Sequence, residues 1–469
     1  MAAQPGRYGG GYEIVNEIEL SIEQKLSLAQ SFTNHPIQNE PLDYKIKYLN
    51  VLEWFVNKFA VNDLFAYGML DNYKSNLLVE KIVSYNYNDD IENNLSVAAK
   101  LKFRPWHIFS YRYVLLVDVL FLCAFDDLEK GKLIINEYKK YLRLWFQKNK
   151  YYQKMDELNN YLYDYFIDDG IKLHTIKRQI SDWQKNLWFY KKKPQKIFIT
   201  ANMSSGKSTL INALTGKKIV KTQNMACTSK LHYIYNKAFE DGFSYKIDGF
   251  ISLNAHNDFL LNNNADNTSN KVFTSTYFRS SLNKPICLID TPGVNNSESN
   301  AHKIITYEAL LQKDYDKLIY VMNASYLGTN DEYEHLKFIA ENIKDKEIIV
   351  VINKLDAFNA KEDNIANSII KVLEDLNKFK FKNFKLCPIS AYAGFLAKEK
   401  LWRDDMDEFD VYELELLCSK LKRDKYNLLP YYSEIPFNNF DKEFANTDQK
   451  YVKLLENCGI LPLEKIISQ

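Results

Sequence analysis

Long hydrophobic runs are missing from this 469-residue chain. The most apolar stretch, Tyr113 to Phe125 (YVLLVDVLFLCAF), is interrupted by Asp118. A membrane crossing needs about 20 apolar residues, so this stretch predicts a buried core helix instead. A charge of one sign is missing too: 61 Lys and Arg face 60 Asp and Glu, for a net charge of +1. No global field draws such a chain to nucleic acid, and no nucleic-acid partner is expected. The six cysteines (Cys123, Cys227, Cys287, Cys387, Cys418, Cys458) include no CxxC pair. They read as reduced, mostly buried thiols of a cytoplasmic protein. The seven histidines show no HExxH spacing, so no zinc site is expected, and His335 in DEYEH reads as decoration on a helix. The first residues, MAAQPGRYGGGYE, lack the apolar region of a secretory signal. Residues 1–14 are expected to form a flexible tail.

Glycine is nearly absent from residues 15–190. Apolar side chains recur there at intervals of three and four, as in Leu49, Leu52, Val56 and Phe59, and in Ile134, Tyr138, Tyr141 and Trp145. That is the spacing of one helix face. Four to seven helices packed as a bundle are predicted, with turns at the Asn- and Asp-rich stretches 86–94 and 168–170. Trp145, Trp183 and Trp188 read as core. The run Lys191-Lys192-Lys193 reads as a solvated linker. No repeat of solenoid period occurs.

The chain changes character at Thr200 to Thr209, TANMSSGKST. It follows a β-branched run (Ile197, Phe198, Ile199) and precedes an amphipathic stretch, Leu210 to Leu214. Strand, loop and helix in that order are the setting of a phosphate-binding P-loop. Backbone N–H groups of Ala201, Asn202, Met203, Ser204, Ser205, Gly206, Lys207, Ser208 and Thr209 would wrap the phosphates. The helix N-terminus adds partial positive charge, and Lys207 reaches the β- and γ-phosphates. Ser208 would offer its hydroxyl to Mg²⁺. Ala201 stands where the first glycine of GxxxxGK[ST] belongs.

Three more signatures follow in sequence. Asp290-Thr291-Pro292-Gly293 closes the apolar run Pro285 to Ile289. Its carboxylate suits a Mg²⁺-bound water, and Gly293 N–H suits the γ-phosphate. Asn353-Lys354-Leu355-Asp356 ends the run Glu347 to Ile352. Asp356 there would accept from N1–H and the 2-amino group of guanine. Adenine lacks both donors and would leave the carboxylate unpaired, at a cost of a few kcal/mol. Ser390-Ala391 follows Leu386 to Ile389 and would present an N–H to guanine O6. Together the four segments imply a guanine-nucleotide site in an α/β domain with a mostly parallel sheet, preceded by an all-α domain. No GxGxxG is present to support hydride chemistry.

The interval from Lys207 to Thr228 leaves room for a switch loop, TQNMACTSK, in which Thr228 would complete the Mg²⁺ shell. The longer interval to Asp290 holds strand-like segments (Leu231 to Asn236, Phe243 to Phe250) and an Asn-rich stretch, 262–270. The chain here resembles the dynamin superfamily, specifically bacterial dynamin-like GTPases. The residues that carry the likeness are ANMSSGKSTLINALTG (201–216), Cys227-Thr228-Ser229, DTPGVNN (290–296), YVMNASYLGTNDE (320–332) and NKLD (353–356). It extends over residues 195–469 and implies phosphate and metal roles for Lys207 and Ser208. It also implies that Ser204 meets transition-state charge and that Thr228 holds the attacking water. On the residues alone, Ser204 has a second reading, a loop hydroxyl that caps the helix. Two positions depart from related enzymes: Met203 replaces the glutamine of eukaryotic dynamins, and Val294 stands where Ras-like enzymes carry theirs. Slow basal turnover is therefore expected, leaning on Thr228, backbone carbonyls, a monovalent cation near Ser204 and a dimer partner closing the site.

The GTPase domain is expected over 191–469, with a helical and irregular insertion about 400–450. Trp402 to Leu421 reads as helical, Tyr426 to Asp441 as irregular, and Tyr451 to Ser468 as one closing helix. The long stalk that follows in the superfamily is not seen. Two functions are open. One is a GTPase that self-associates through its nucleotide face and acts on a membrane or on a second dynamin-like subunit. The other is a poorly hydrolysing GTP-binding scaffold. Ribosome-assembly GTPases are a weaker third class, for want of a basic RNA-binding domain. The expected location is cytoplasmic, peripheral on the inner membrane face.

Overall fold

The computed structural model describes residues 23, 25–32, 35–78, 86–101, 109–143, 150–163, 176–222, 230–248, 251–255, 260–261, 271–293, 300–359, 364–381, 383–402, 406–433 and 447–469. The chain divides into two compact units. The first comprises Met1–Lys192, Lys237–Phe243 and Ile251–Asn254; the second comprises Lys193–Asn236, Ser244–Phe250 and Ala255–Gln469.

The first unit contains seven helices among the described residues: α1 (Leu42–Phe59), α2 (Leu64–Leu77), α3 (Ile91–Ala98), α4 (Phe109–Ala124), α5 (Leu128–Arg143), α6 (Lys150–Tyr163) and α7 (Lys177–Lys191). Leu49, Leu52, Val56, Ile134 and Tyr138 are buried, as their spacing predicts, whereas Phe59 and Tyr141 of the same stripes are only half-buried; Trp183, expected in the core, is buried. Trp188, expected in the core, is only half-buried. The turn expected over 86–94 ends early, because the Asp90 side chain accepts from Asn93 N and starts α3 at Ile91. Helix α4 holds the apolar stretch around Asp118, and that stretch is buried. Burying the carboxylate is tolerable only with partners. Tyr48 OH donates to its Oδ2 at 2.5 Å, and His35 Nε2 lies 3.0 Å from the same oxygen. No helix among the described residues is long and apolar enough to cross a membrane. The tail 1–14, Trp145 and the turn 168–170 lie outside the described residues. A two-residue strand, β4 (Ile251–Ser252), also falls in this unit.

In the second unit the strands are β1 (Gln195–Ala201), β2 (Leu231–Asn236), β3 (Tyr245–Ile247), β5 (Lys271–Thr276), β6 (Ile286–Asp290), β7 (Lys317–Asn323), β8 (Glu347–Asn353) and β9 (Phe384–Pro388). Within this unit they are ordered β3-β5-β2-β6-β1-β7-β8-β9. From β6 to β9 every pairing is parallel. The β2–β6 pairing is antiparallel. The central strands are covered on both faces, which is why their sequences (IFIT, LIYVM, IIVVI) are continuous apolar runs rather than alternations. Helices α8 (Lys207–Thr215), α9 (Asn300–Gln312), α10 (Asn330–Asn342), α11 (Ile365–Lys378), α12 (Ala391–Trp402), α13 (Glu408–Leu421), α14 (Gln449–Asn457) and α15 (Ile460–Ser468) complete the unit. Between α13 and α14 the described residues form a 3₁₀ turn, Leu429–Tyr432.

The single closing helix expected over 451–468 is two helices. Gly459 breaks it with φ 79°, and a Cβ there would lie 2.5 Å from the Pro388 carbonyl oxygen. The second piece, α15, brings in Glu464, which is fully buried against the Lys398 ammonium of α12. Glu464 Oε2 also accepts from Ser281 N at 3.0 Å and Oγ at 2.7 Å. Lys398 Nζ donates onward to the Leu214 carbonyl of α8 at 3.3 Å. A buried charge pair needs such extra hydrogen bonds to offset desolvation.

On α10, burial pushes the Glu332 carboxyl up to about 7 from its ordinary 4.5. The folded chain then keeps a proton that the unfolded chain releases above the lower value. Stability from this group therefore falls as pH rises from about 4.5 to about 7, by on the order of 3 kcal/mol, and is flat above. Glu332→Gln should flatten that part of the slope. Thermal melts of both proteins at pH 5 and pH 8 would show it: the variant loses less stability between the two. Parallel slopes would contradict the assignment.

Candidate nucleotide-binding site

The parallel strands bring the four motif segments to one edge of the sheet. Ala201 ends β1, Asp290 ends β6, Asn353 ends β8, and Ser390-Ala391 follows β9. Ligands of open α/β sheets bind at these carboxyl ends. Between β1 and α8, the loop reverses through Ser204, a non-glycine residue with φ 60°, and Gly206, with φ 85°. Gly206 has no alternative, since a Cβ would collide with Asn353 Nδ2 as well as requiring left-handed backbone. It is also the N-cap residue of α8.

Two asparagines hold this loop from the neighbouring strands. Asn353 Nδ2 donates to Ser205 O at 3.0 Å, and its Oδ1 accepts from Ala391 N at 3.0 Å. Asn323 Nδ2 donates to Ser204 O at 3.1 Å. The two are register partners across β7 and β8, so adjacent strand ends grip adjacent loop carbonyls. Asn323 belongs to the segment YVMNASYLGTNDE, yet its hold on the loop was not foreseen. Its position at the end of an apolar run was the available signal.

Lys207 lies at the start of α8 and forms a buried ion pair with Asp290 Oδ1. The other carboxylate oxygen, Asp290 Oδ2, is buried and has no hydrogen-bond partner among the described residues; the same is true of Ser205 Oγ and Asn202 Oδ1. Unpartnered buried oxygens cost about 1–3 kcal/mol each unless something fills the gap. A carboxylate oxygen and the hydroxyl of Ser208, in the first turn of α8, are hard oxygen donors that suit Mg²⁺. Gly293 comes close to the loop: a Cβ on it would lie 3.9 Å from Met203 Cα. Met203 itself is 42% exposed. Thr228, Cys227 and Val294 lie outside the described residues, as does the stretch 262–270.

At the base-selecting end, Lys354 has left-handed backbone, φ 66°, and opens a 3₁₀ turn, Leu355–Ala357. Its Cε would lie 3.6 Å from a Cβ on Gly206, so its stem runs beside the P-loop. Asp356 is half-buried. Ser390 and Ala391 are buried. Ser390 Oγ accepts from Ala393 N at 3.2 Å, and Ser390 N donates to Cys458 O at 2.9 Å, which anchors that segment to the end of α14.

His335 differs from expectation. It sits on α10 but points inward, with Nε2 3.2 Å from Thr200 Oγ1 and Nδ1 3.2 Å from Tyr307 OH. Burial drives it down to about 3, so the imidazole is neutral. The spacing Glu332, His335, Leu336, Ile339 is the buried face of α10 and held the clue. His232 on β2 is likewise buried, 2.7 Å from Thr274 Oγ1, and burial with the nearby Lys246 and Lys207 ammonium groups holds it at about 3. Among the described residues no cluster of His, Cys, Asp and Glu could hold a metal by itself.

Comparison with known proteins matches residues 197–355 to the dynamin family. Dynamin-like protein 1 of Campylobacter jejuni is 25% identical over 309 residues, covering 53% of this chain and 42% of that protein. A protein of Caldicellulosiruptor sp., described only by its position in the xynA 3′ region, is 27% identical over 236 residues, covering 48% of this chain and 53% of its own. The chain thus spans about half the length, or less, of these relatives. A solved bacterial dynamin pair, described as sensing and tethering membranes, aligns over 89% of this chain and 63% of its own at 16% identity, with a TM-score of 0.35.

The ion pair makes a direct prediction. Lys207→Ala leaves a buried carboxylate without its cation and should cost about 3–5 kcal/mol of stability. Adding Asp290→Asn should return most of the loss. Urea melts of the single and double variants check this, and equal destabilisation in both would refute the pairing.

Proposed function

We propose that this chain, whose residues 197–355 match the dynamin family, binds GTP with Mg²⁺ and hydrolyses it to GDP and phosphate. One observation carries the reading. Four nucleotide segments meet at one sheet edge, around a buried lysine–aspartate pair whose carboxylate retains an unused oxygen.

In this reading the triphosphate would take up the Lys207 ammonium, and Asp290, Ser208 and Thr228 would hold Mg²⁺. Mg²⁺, when bound, offsets the charge on the β- and γ-phosphate oxygens. The N–H groups of residues 202–209 and Gly293 wrap the phosphates. Asp356 selects guanine, Asn353 and Lys354 brace the base against the P-loop, and the Ala391 segment meets O6. Water held by Thr228 attacks the γ-phosphorus as the bond to the β–γ bridging oxygen breaks. The exposed thioether of Met203 has no hydrogen-bonding group to orient that water. Basal turnover is accordingly slow, and a second copy closing the nucleotide face, with a monovalent cation near Ser204, supplies what is missing. The energy of this cycle passes to the helical region and a membrane surface on the cytoplasmic side.

Turnover per molecule should rise about tenfold or more as protein concentration passes through the dimerisation range, given what site completion in trans contributes elsewhere. Lys207→Ala should abolish it. Fast hydrolysis independent of protein concentration would overturn the self-association part, and calorimetry with ATP held as tightly as GTP would overturn the whole. Liposome co-sedimentation with and without GTP tests the membrane part; no binding in either condition would remove it.

A further inference from the structure

Helix α13 contains none of the nucleotide motifs, yet its last turn reaches the base-selecting loop. Lys420 Nζ donates to the Asp356 carbonyl at 2.5 Å and to the Phe358 carbonyl at 2.7 Å. It also lies 4.8 Å from the centroid of the Tyr426 ring. Two of its three N–H groups are thus spent on one short turn, and the ring covers its flank. Within the turn, Ala357 N bonds to Lys354 O and Phe358 N to Leu355 O. The Asp356 and Phe358 carbonyls are not used by those bonds. A three-residue 3₁₀ turn is too short to satisfy its own ends, and a charged donor serving both is a strong clamp.

We propose that Lys420 is a specificity-determining positioning residue. By fixing the backbone of Asp356 from outside the motif, it sets the carboxylate where both guanine donors, N1–H and the 2-amino group, can reach it. This rests on the guanine-nucleotide reading given above. The two bonds differ in what they demand. A carboxylate free to drift can keep one hydrogen bond by rotating, whereas two parallel bonds require the loop to hold its place. Hypoxanthine retains N1–H and lacks the 2-amino group, so the ratio of GDP to IDP affinity reads the second bond directly.

The experiment uses calorimetry of the full chain with GDP and with IDP, on the wild type, Lys420→Met and Lys420→Arg. The wild type should prefer GDP by about tenfold, the worth of one well-placed charged hydrogen bond. Lys420→Met should lose about fivefold or more in GDP affinity while IDP changes less than about twofold, so that the preference collapses. Lys420→Arg, which keeps the charge and the donors, should retain most of it. Equal losses for both nucleotides would mean a merely structural role and would overturn the proposal, as would an unchanged ratio in Lys420→Met. A wild type that binds neither nucleotide would overturn the guanine reading together with this one; a wild type that prefers GDP beside an unchanged variant would overturn this one alone.

Discussion

An ammonium and a carboxylate facing each other out of water organise the second unit. Lys207 is fixed by the turn that opens α8, and Asp290 by the last residue of β6. Both are buried, and removing either partner leaves the other without its hydrogen-bonded counter-charge, which is costly at that depth. The pair therefore ties the P-loop to the strand beside it, and the ligand must offer equivalent charge on both sides to displace it. A magnesium–triphosphate complex does so, with anionic oxygens for the lysine and a divalent cation for the aspartate. The asparagines of β7 and β8 perform a neutral version of the same task, each holding a loop carbonyl.

The polar core extends away from the site. The Lys398–Glu464 pair links α12 and α15, and its onward bond to Leu214 O reaches the C-terminal end of the P-loop helix. One helix is thus held at its first residue by Asp290 and at its far end by a second buried charge. Such an arrangement resists tilting of α8, and the backbone amides at its N-terminus keep their direction. Cys458 takes part through its carbonyl, which receives the Ser390 amide.

Much of this was legible in the sequence, because the segments proposed to bind phosphate and base are short, ordered along the chain, and set at the ends of apolar runs. Those runs became β1, β6, β8 and β9 with boundaries shifted by a residue or two. The helical spacing of residues 15–190 likewise became helices, and Asp118 in α4 proved compatible with burial. What was not legible depended on partners distant in sequence. His335 reads as surface until the Thr200 and Tyr307 hydroxyls are placed around it. Gly459 reads as tolerable within a helix until Pro388 and Tyr432 close in on it. Lys420 is the single lysine of an otherwise acidic helix, and only the fold puts it over the turn that contains Asp356. Asp90 did carry a local cap signal, which the run of asparagines after it obscured.

The backbone at Ser204 carries one more implication. A residue with a Cβ sits in left-handed geometry there, φ 60°, a conformation that costs non-glycine residues roughly 1–2 kcal/mol. Glycine would relieve that strain and make the unliganded chain sturdier, at the loss of the hydroxyl. The presence of serine fits a trade in which some robustness is given up to keep an oxygen on the loop proposed to hold the phosphates.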